Sequence, residues 1–185
     1  MSQPRPPRPA KPVIGAFMRD QKLFEGVASE LESRFGPIDI VSRWLSFDCT
    51  DYYEKEMGGG LCRRMMSFQN LVPQDMLPDI KAATNQLEQR YCLEDRRQVN
   101  IDPGYLLLER FVLATGKNFS HRIYIGKNIY ADLTLIYHDN AFRPLPWTYP
   151  DYARSDMLEF LYRVRKKYTY DQKKQDYQPE PRQDD

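Results

Sequence analysis

The chain predicts an α+β fold: a mainly antiparallel sheet with helices packed on it, a ferredoxin-like βαββαβ start, then extra C-terminal hairpins and a final helix. Three observations predict this. Apolar residues recur at helical spacing in three separate windows. Short strand-like runs lie between and after those windows. Tight turn signals, rather than long crossovers, join the later runs, as hairpins require.

Val13 to Met18 is a short apolar run that reads as the first strand, with Arg19-Asp20 leading into a helix start. Leu23, Phe24, Val27, Ala28, Leu31 and Phe35 make the stripe of that helix, and Gly36-Pro37 stops it. Ile38 to Phe47 reads as a second strand. Gly58-Gly59-Gly60 breaks the chain before a third, Leu61 to Leu71. Asp75 is placed to cap a second helix with Pro78 in its first turn, and Ile80, Ala83, Leu87 and Tyr91 form its buried stripe. After Val99-Asn100-Ile101, the string Asp102-Pro103-Gly104 predicts a turn, because Pro fixes φ and Gly accepts a positive one. Tyr105 to Thr115 is a long apolar run whose periodicity fits a strand or a helix. His121 to Ile125 and Ile129 to Tyr137 flank Gly126-Lys127-Asn128 as a hairpin. His138-Asp139-Asn140 then turns into Phe142 to Leu145. Met157, Phe160, Leu161, Val164 and Tyr168 make the stripe of a last helix capped by Ser155.

At 185 residues and 22.0 kDa the chain suffices for one domain with a substantial core, and its 41% hydrophobic content favours folding over disorder. Residues 1–11 are Pro- and Arg-rich and predict an extended, poorly ordered tail carrying a PxxP-like string; a solubilising role explains it. Residues 12–169 form the predicted domain, and 170–185 a polar tail without a core pattern. A net charge of +1 argues against a phosphate-backbone binder, though a local basic patch stays compatible with it. Cys49, Cys62 and Cys92 are odd in number and lack zinc spacing, which fits a reduced, cytoplasmic chain. No apolar run reaches membrane-spanning length.

Two stretches concentrate polar and aromatic groups where a strand gives way to a helix start: Phe47 to Glu56 and Leu145 to Tyr152. In the first, Asp48, Asp51, Glu54 and Glu56 gather four carboxylates within nine residues. Such a group suits a hard divalent cation, or a carboxylate tuned for acid–base work. Helix capping explains one of these acids but not the adjoining Tyr52 and Tyr53. Arg63 and Arg64, just beyond the glycines, are placed to clamp an anion or to sit exposed on a strand. His121, with Arg122, Tyr124 and Lys127 close in sequence, is a candidate acid or base; a hydrogen-bonded strand histidine is the plainer reading. Asn100 and Asp102 bracket a strand end, where an Asx turn accounts for the aspartate. Trp147, Tyr149, Asp151 and Tyr152 form a stiff corner between Pro146 and Pro150, suited to stacking a planar ligand or to stapling the last helix to the sheet. No phosphate-loop, dinucleotide or nucleophile-elbow string occurs.

Several phrases together resemble a bacterial family, domain of unknown function 4416. They are Phe47-Asp48-x-Thr50-Asp51-Tyr52-Tyr53-Glu54-Lys55-Glu56-Met57-Gly58, Arg63-Arg64 with Ser67-Phe68, Asp79-Ile80-Lys81-x-Ala83-Thr84-Asn85-x-Leu87-Glu88, Asn100-x-Asp102-Pro103-Gly104-Tyr105, His121-Arg122-Ile123-Tyr124 and Pro146-Trp147-Thr148-Tyr149-Pro150-Asp151-Tyr152. The resemblance covers about Lys11 to Lys167 and implies one folding unit, without bringing an activity, substrate or cofactor. The residues themselves support a groove for a small anionic or nucleotide-like molecule, with a divalent cation as candidate cofactor. Two alternatives stand beside it. One is a metal-assisted hydrolase or group-transfer enzyme in which Asp48, Asp51 or Glu54 holds metal or acts as base and His121 as acid. The other is an RNA-associated module; a protein partner is the remaining option.

Overall fold

The computed structural model describes residues 3–48, 53–94 and 96–176. In chain order the elements are β1 (Lys11–Met18), α1 (Phe24–Phe35), β2 (Ile38–Val41), β3 (Leu45–Ser46), α2 (Glu54–Met57), β4 (Cys62–Phe68), α3 (Leu77–Arg90), β5 (Cys92–Leu93), β6 (Arg96–Arg97), β7 (Val99–Leu106), β8 (Arg110–Thr115), β9 (Arg122–Gly126), β10 (Ile129–His138), β11 (Ala141–Pro144) and α4 (Ser155–Asp176). Short 3-10 turns precede α1, α3 and α4.

Every strand pairing is antiparallel, and the main sheet runs β11-β10-β8-β7-β1-β4-β2, with β3 on β4 and β9 on β10. The order β7-β1-β4-β2, with α1 and α3 as crossovers, is the ferredoxin-like arrangement that the element order predicts. The two-stranded β5–β6 ribbon stands apart.

β1 is buried along its whole length, so it lacks the polar alternation of a half-exposed strand. Its two faces serve different cores. Ile14, Ala16 and Met18 join Phe24, Val27 and Leu31 of α1 and Ile80 and Leu87 of α3. Val13 turns to the opposite side, where Met157, Phe160, Leu161, Val164 and Tyr168 of α4 lie. Lys11 shares that second face. Fully buried, it donates to Asp39 at 2.5 Å and to Asp171 of α4 at 3.1 Å, so charge as well as apolar contact fastens the long helix. The helix runs on to Asp176, past residue 169 where the composition turns polar.

Asp102-Pro103-Gly104 is not a turn. All three residues lie inside β7, paired with Gly15, Ile14 and Val13 of β1. The proline acts on the other edge of the strand. Ile101 turns its N–H and C=O away from β1, toward α3. By the two-residue period of a strand, Pro103 turns the same way and has no N–H to offer β8. The β7–β8 ladder accordingly begins only at Gly104↔Leu113 and continues toward Leu106. Beyond that point the two strands part. The orphaned edge of β7 is satisfied by α3 instead, Glu88 accepting from the Ile101 N–H at 2.7 Å and Lys81 donating to its carbonyl at 2.9 Å.

The run Tyr105 to Thr115 is thus two strands meeting in a hairpin, closed by the Leu107 N–H on the Arg110 carbonyl. The later turns are as the sequence indicates: Lys127, Asn128, Asp139 and Asn140 all have positive φ. At the crease Gly104 is required for space. A Cβ there would stand 2.4 Å from the Val112 carbonyl oxygen. Gly104→Ala is expected to cost about 1–3 kcal/mol, as overpacking against backbone does, read as a lowered midpoint in urea unfolding.

Candidate functional site

Where β7 and β8 part, the sheet opens into a cleft of about 490 Å³. One wall carries Phe47, Tyr53 and Arg63; the back carries Lys81, Asn85, Glu88, Arg97, Asn100 and Asp102. The opposite wall runs from Leu113 to Lys117 and includes Arg122 and Asp132, and Tyr149, Asp151 and Tyr152 complete the lining.

Arg63 is the centre of this arrangement. It projects from β4 on the face opposite α1 and α3, with 3% of its surface exposed. One Nη donates to Asp151, the other to Asp102 at 3.2 Å. Its guanidinium carbon stands 4.6 Å from the Phe47 ring centroid, 4.8 Å from Tyr152 and 5.3 Å from Phe17. Burial opposes the charge, but Tyr152 and then the carboxylates of Asp151 and Asp102 more than offset it and push the guanidinium pKa up.

From Arg63 a hydrogen-bond chain runs along the back of the cleft. Asp102 also accepts from Asn100 Nδ2 at 2.9 Å, and Asn100 Oδ1 accepts from Arg97 at 2.9 Å. Arg97 then grips both oxygens of Glu56 at 2.6 and 2.7 Å and reaches Glu88 at 3.3 Å. The Arg97 hydrogen bond holds the Glu56 carboxyl below its ordinary value, although part-burial acts against it. Burial pushes Glu88 the other way, despite Lys81 and the Ile101 N–H. Burial and the Asp102 charge also raise the Tyr53 phenol, so it stays protonated across the neutral range.

On the far wall Asp132 Oδ2 accepts from Arg122 Nε at 2.9 Å and lies 3.3 Å from His121 Nε2. Arg122 also donates to the Lys117 carbonyl at 3.0 Å and to the Tyr149 hydroxyl at 2.6 Å. The His121 ring stacks on Trp147 at 5.1 Å and 10° and meets a tilted Phe119 ring at 5.4 Å.

The aromatic corner is fastened to the sheet. Trp147 Nε1 donates to the Leu133 carbonyl at 2.8 Å and Thr148 Oγ1 to the Thr134 carbonyl at 2.5 Å, at the stretch of β10 between its pairings with β9 and β11. That anchor aims the next turn, Pro150–Ala153, so that Asp151 and Tyr152 reach Arg63.

Of the residues singled out in sequence, Tyr53, Arg63, Asn100, Asp102, Arg122, Tyr149, Asp151 and Tyr152 converge on the cleft. His121 supports it through Asp132. Others lie elsewhere. Asp48 is exposed and paired with Arg154 at 3.1 Å. Arg64 alternates to the other face, over Phe24 and Trp44. Tyr124 is exposed against Tyr130, and Lys127 pairs with Asp79 at the surface. Asp51, Tyr52 and the side chain of Glu54 fall outside the described residues. Among the described residues no three His, Cys, Asp or Glu side chains come together as a metal site. The sequence reading missed Lys81, Glu88, Arg97, Lys117 and Asp132. For Lys81 and Glu88 a signal existed, since both interrupt the apolar stripe of α3 yet are buried.

The fold and cleft define an antiparallel α+β protein with a charged pocket in a split sheet. The chain matches the family model described as Domain of unknown function (DUF4416) over residues 8–168, and it belongs to that family. No curated protein and no solved structure matches it. Among the described residues no helix is long and apolar enough to cross a membrane.

Two outcomes test this electrostatic account. Arg63→Met strands the buried carboxylate of Asp151 and the part-buried one of Asp102 and is expected to cost about 3–5 kcal/mol; adding Asp151→Asn should recover part of the loss, measured as coupling in a double-mutant cycle. Glu56 has a lowered pKa, so its contribution is present above its ordinary value of 4.5 and fades as pH falls through the folded value. Glu56→Gln should therefore flatten the acid limb of the stability–pH curve between about pH 5 and 3, while its cost at neutral pH stays within about 1 kcal/mol for so exposed a pair.

Proposed function

We propose that the cleft binds a small anionic or nucleotide-like molecule. The observation that carries this reading is the concentration of Arg63, Lys81, Arg97, Lys117 and Arg122 around one concave space, against the carboxylates Glu88, Asp102, Asp132 and Asp151. With Glu56, which Arg97 grips from just outside the lining, the charges balance, and their distribution matters more than their sum. Along the back the charges are matched: Arg63, Lys81 and Arg97 face Glu88, Asp102 and Asp151. On the far wall two cations, Lys117 and Arg122, line the cleft with one acid, Asp132, beside the half-exposed Tyr149 ring. An anionic group is best held there, with fixed donors in a partly dry site.

Hydrolysis or group transfer is the second reading, favoured by one feature. The Glu88 carboxyl faces the cleft beside Lys81 and Arg97, and burial raises its pKa, so it is the lining acid placed for acid–base work. In that case Glu88 takes the acid's role in place of His121, which contacts Asp132, and Asp48 lies away from the cleft on Arg154.

A thermal-shift screen of inorganic phosphate, pyrophosphate, nucleoside monophosphates and citrate, each with and without magnesium, tests the proposal. A probe at about 100 times its Kd stabilises by about 2.7 kcal/mol, or roughly 5–10 °C for a domain of this size. Lys117→Glu should abolish most of that shift and Lys127→Glu, on the surface pair with Asp79, should not. Equal loss in both variants, or silence across the panel, contradicts the proposal.

A further inference from the structure

Two polar atoms in the cleft wall have no partner among the described residues: Tyr152 Oη and Arg63 Nε. Their residues are 2% and 3% exposed and both line the cleft. Buried polar atoms in folded proteins are nearly always satisfied, and leaving one unmet is costly. Here two go unmet on packed neighbours, the guanidinium carbon lying 4.8 Å from the Tyr152 ring centroid.

Both atoms are donors. Arg63 Nε can only donate. The Tyr152 phenol stays protonated because burial raises its pKa, with Asp102 and Asp151 pushing the same way. What the floor lacks is therefore an acceptor. The local charge limits its nature. Around the phenol stand one cation, Arg63, and two carboxylates, Asp102 and Asp151. A second anion is repelled there, whereas an uncharged oxygen is not. The same two carboxylates would receive an N–H beside that oxygen.

We infer that the floor receives an uncharged carbonyl oxygen with an adjoining N–H, the edge of an amide or lactam, on Tyr152 Oη and Arg63 Nε. The inference rests on the anion reading for the other end of the ligand, held at Lys117 and Arg122. The ligand class is thus a small molecule anionic at one end and amide- or lactam-bearing at the other. Both donors are closed to solvent, so binding includes a side-chain shift at the floor.

Melting curves of the full chain, wild type and Tyr152→Phe, with UMP, AMP, ribose 5-phosphate and free uracil test this. UMP should stabilise the wild type more than AMP or ribose 5-phosphate, because adenine offers no carbonyl. Without ligand, Tyr152→Phe should melt a few degrees higher, since it deletes an unsatisfied buried hydroxyl. The variant should bind UMP roughly five- to tenfold more weakly and respond to ribose 5-phosphate as the wild type does. A lower melting point for the unliganded variant, with UMP binding unchanged, shows a structural hydroxyl and overturns the inference. Equal responses to UMP and AMP overturn it too, leaving the anion reading standing. If uracil alone stabilises the wild type and the phosphates add nothing, the carbonyl subsite stands and the anion reading fails. Silence with all four probes overturns both.

Discussion

The structure depends on the burial of one guanidinium. Arg63 lies between Asp102 and Asp151, covered by Phe17, Phe47 and Tyr152. Its partners come from β7 and from the turn before α4, far apart in sequence, so this cluster ties the ferredoxin-like half to the C-terminal segment. Buried ion pairs are poor sources of stability compared with apolar packing, because desolvation consumes most of the Coulomb gain. An apolar node would hold the same elements together. The retained charge is therefore better explained by the cleft it faces than by folding.

The cleft itself comes from a missing hydrogen. Pro103 gives β8 nothing to pair with, the ladder stops, and the sheet parts. An open strand edge is a liability unless it is covered. Here Lys81 and Glu88 of α3 meet the backbone of Ile101, which converts an interruption in the sheet into a polar wall. On the other side, Trp147 and Thr148 fasten the 145–149 corner to β10 and hold Tyr149 and Arg122 against each other. Backbone satisfaction thus positions the site from both directions.

Local patterns carried much of this into the sequence. The stripes of α1, α3 and α4 and the two positive-φ turns are visible because periodicity and turn chemistry are short-range. Asp102-Pro103-Gly104 misleads for the same reason. Its residues favour a turn in isolation, and only pairing with β1 makes them a strand whose proline interrupts the ladder to β8. The site was legible where aromatic and polar groups cluster in sequence, as at Tyr149 to Tyr152. Arg97 and Asp132 sit in ordinary surroundings and acquire their role from partners such as Glu56 and His121. Arg63 and Arg64 look equivalent in sequence, and strand alternation sends them to opposite faces.

Amide hydrogen exchange in Asp151→Asn tests the central claim most directly. If the Arg63 cluster is what holds the Tyr149–Ala153 turn to the sheet, exchange there, including the Tyr152 N–H that bonds the Tyr149 carbonyl, should accelerate well before β1 or α1 is affected. Acceleration spread evenly over the whole protein would show that the cluster contributes only to global stability, and a protected turn would show that apolar packing alone secures it.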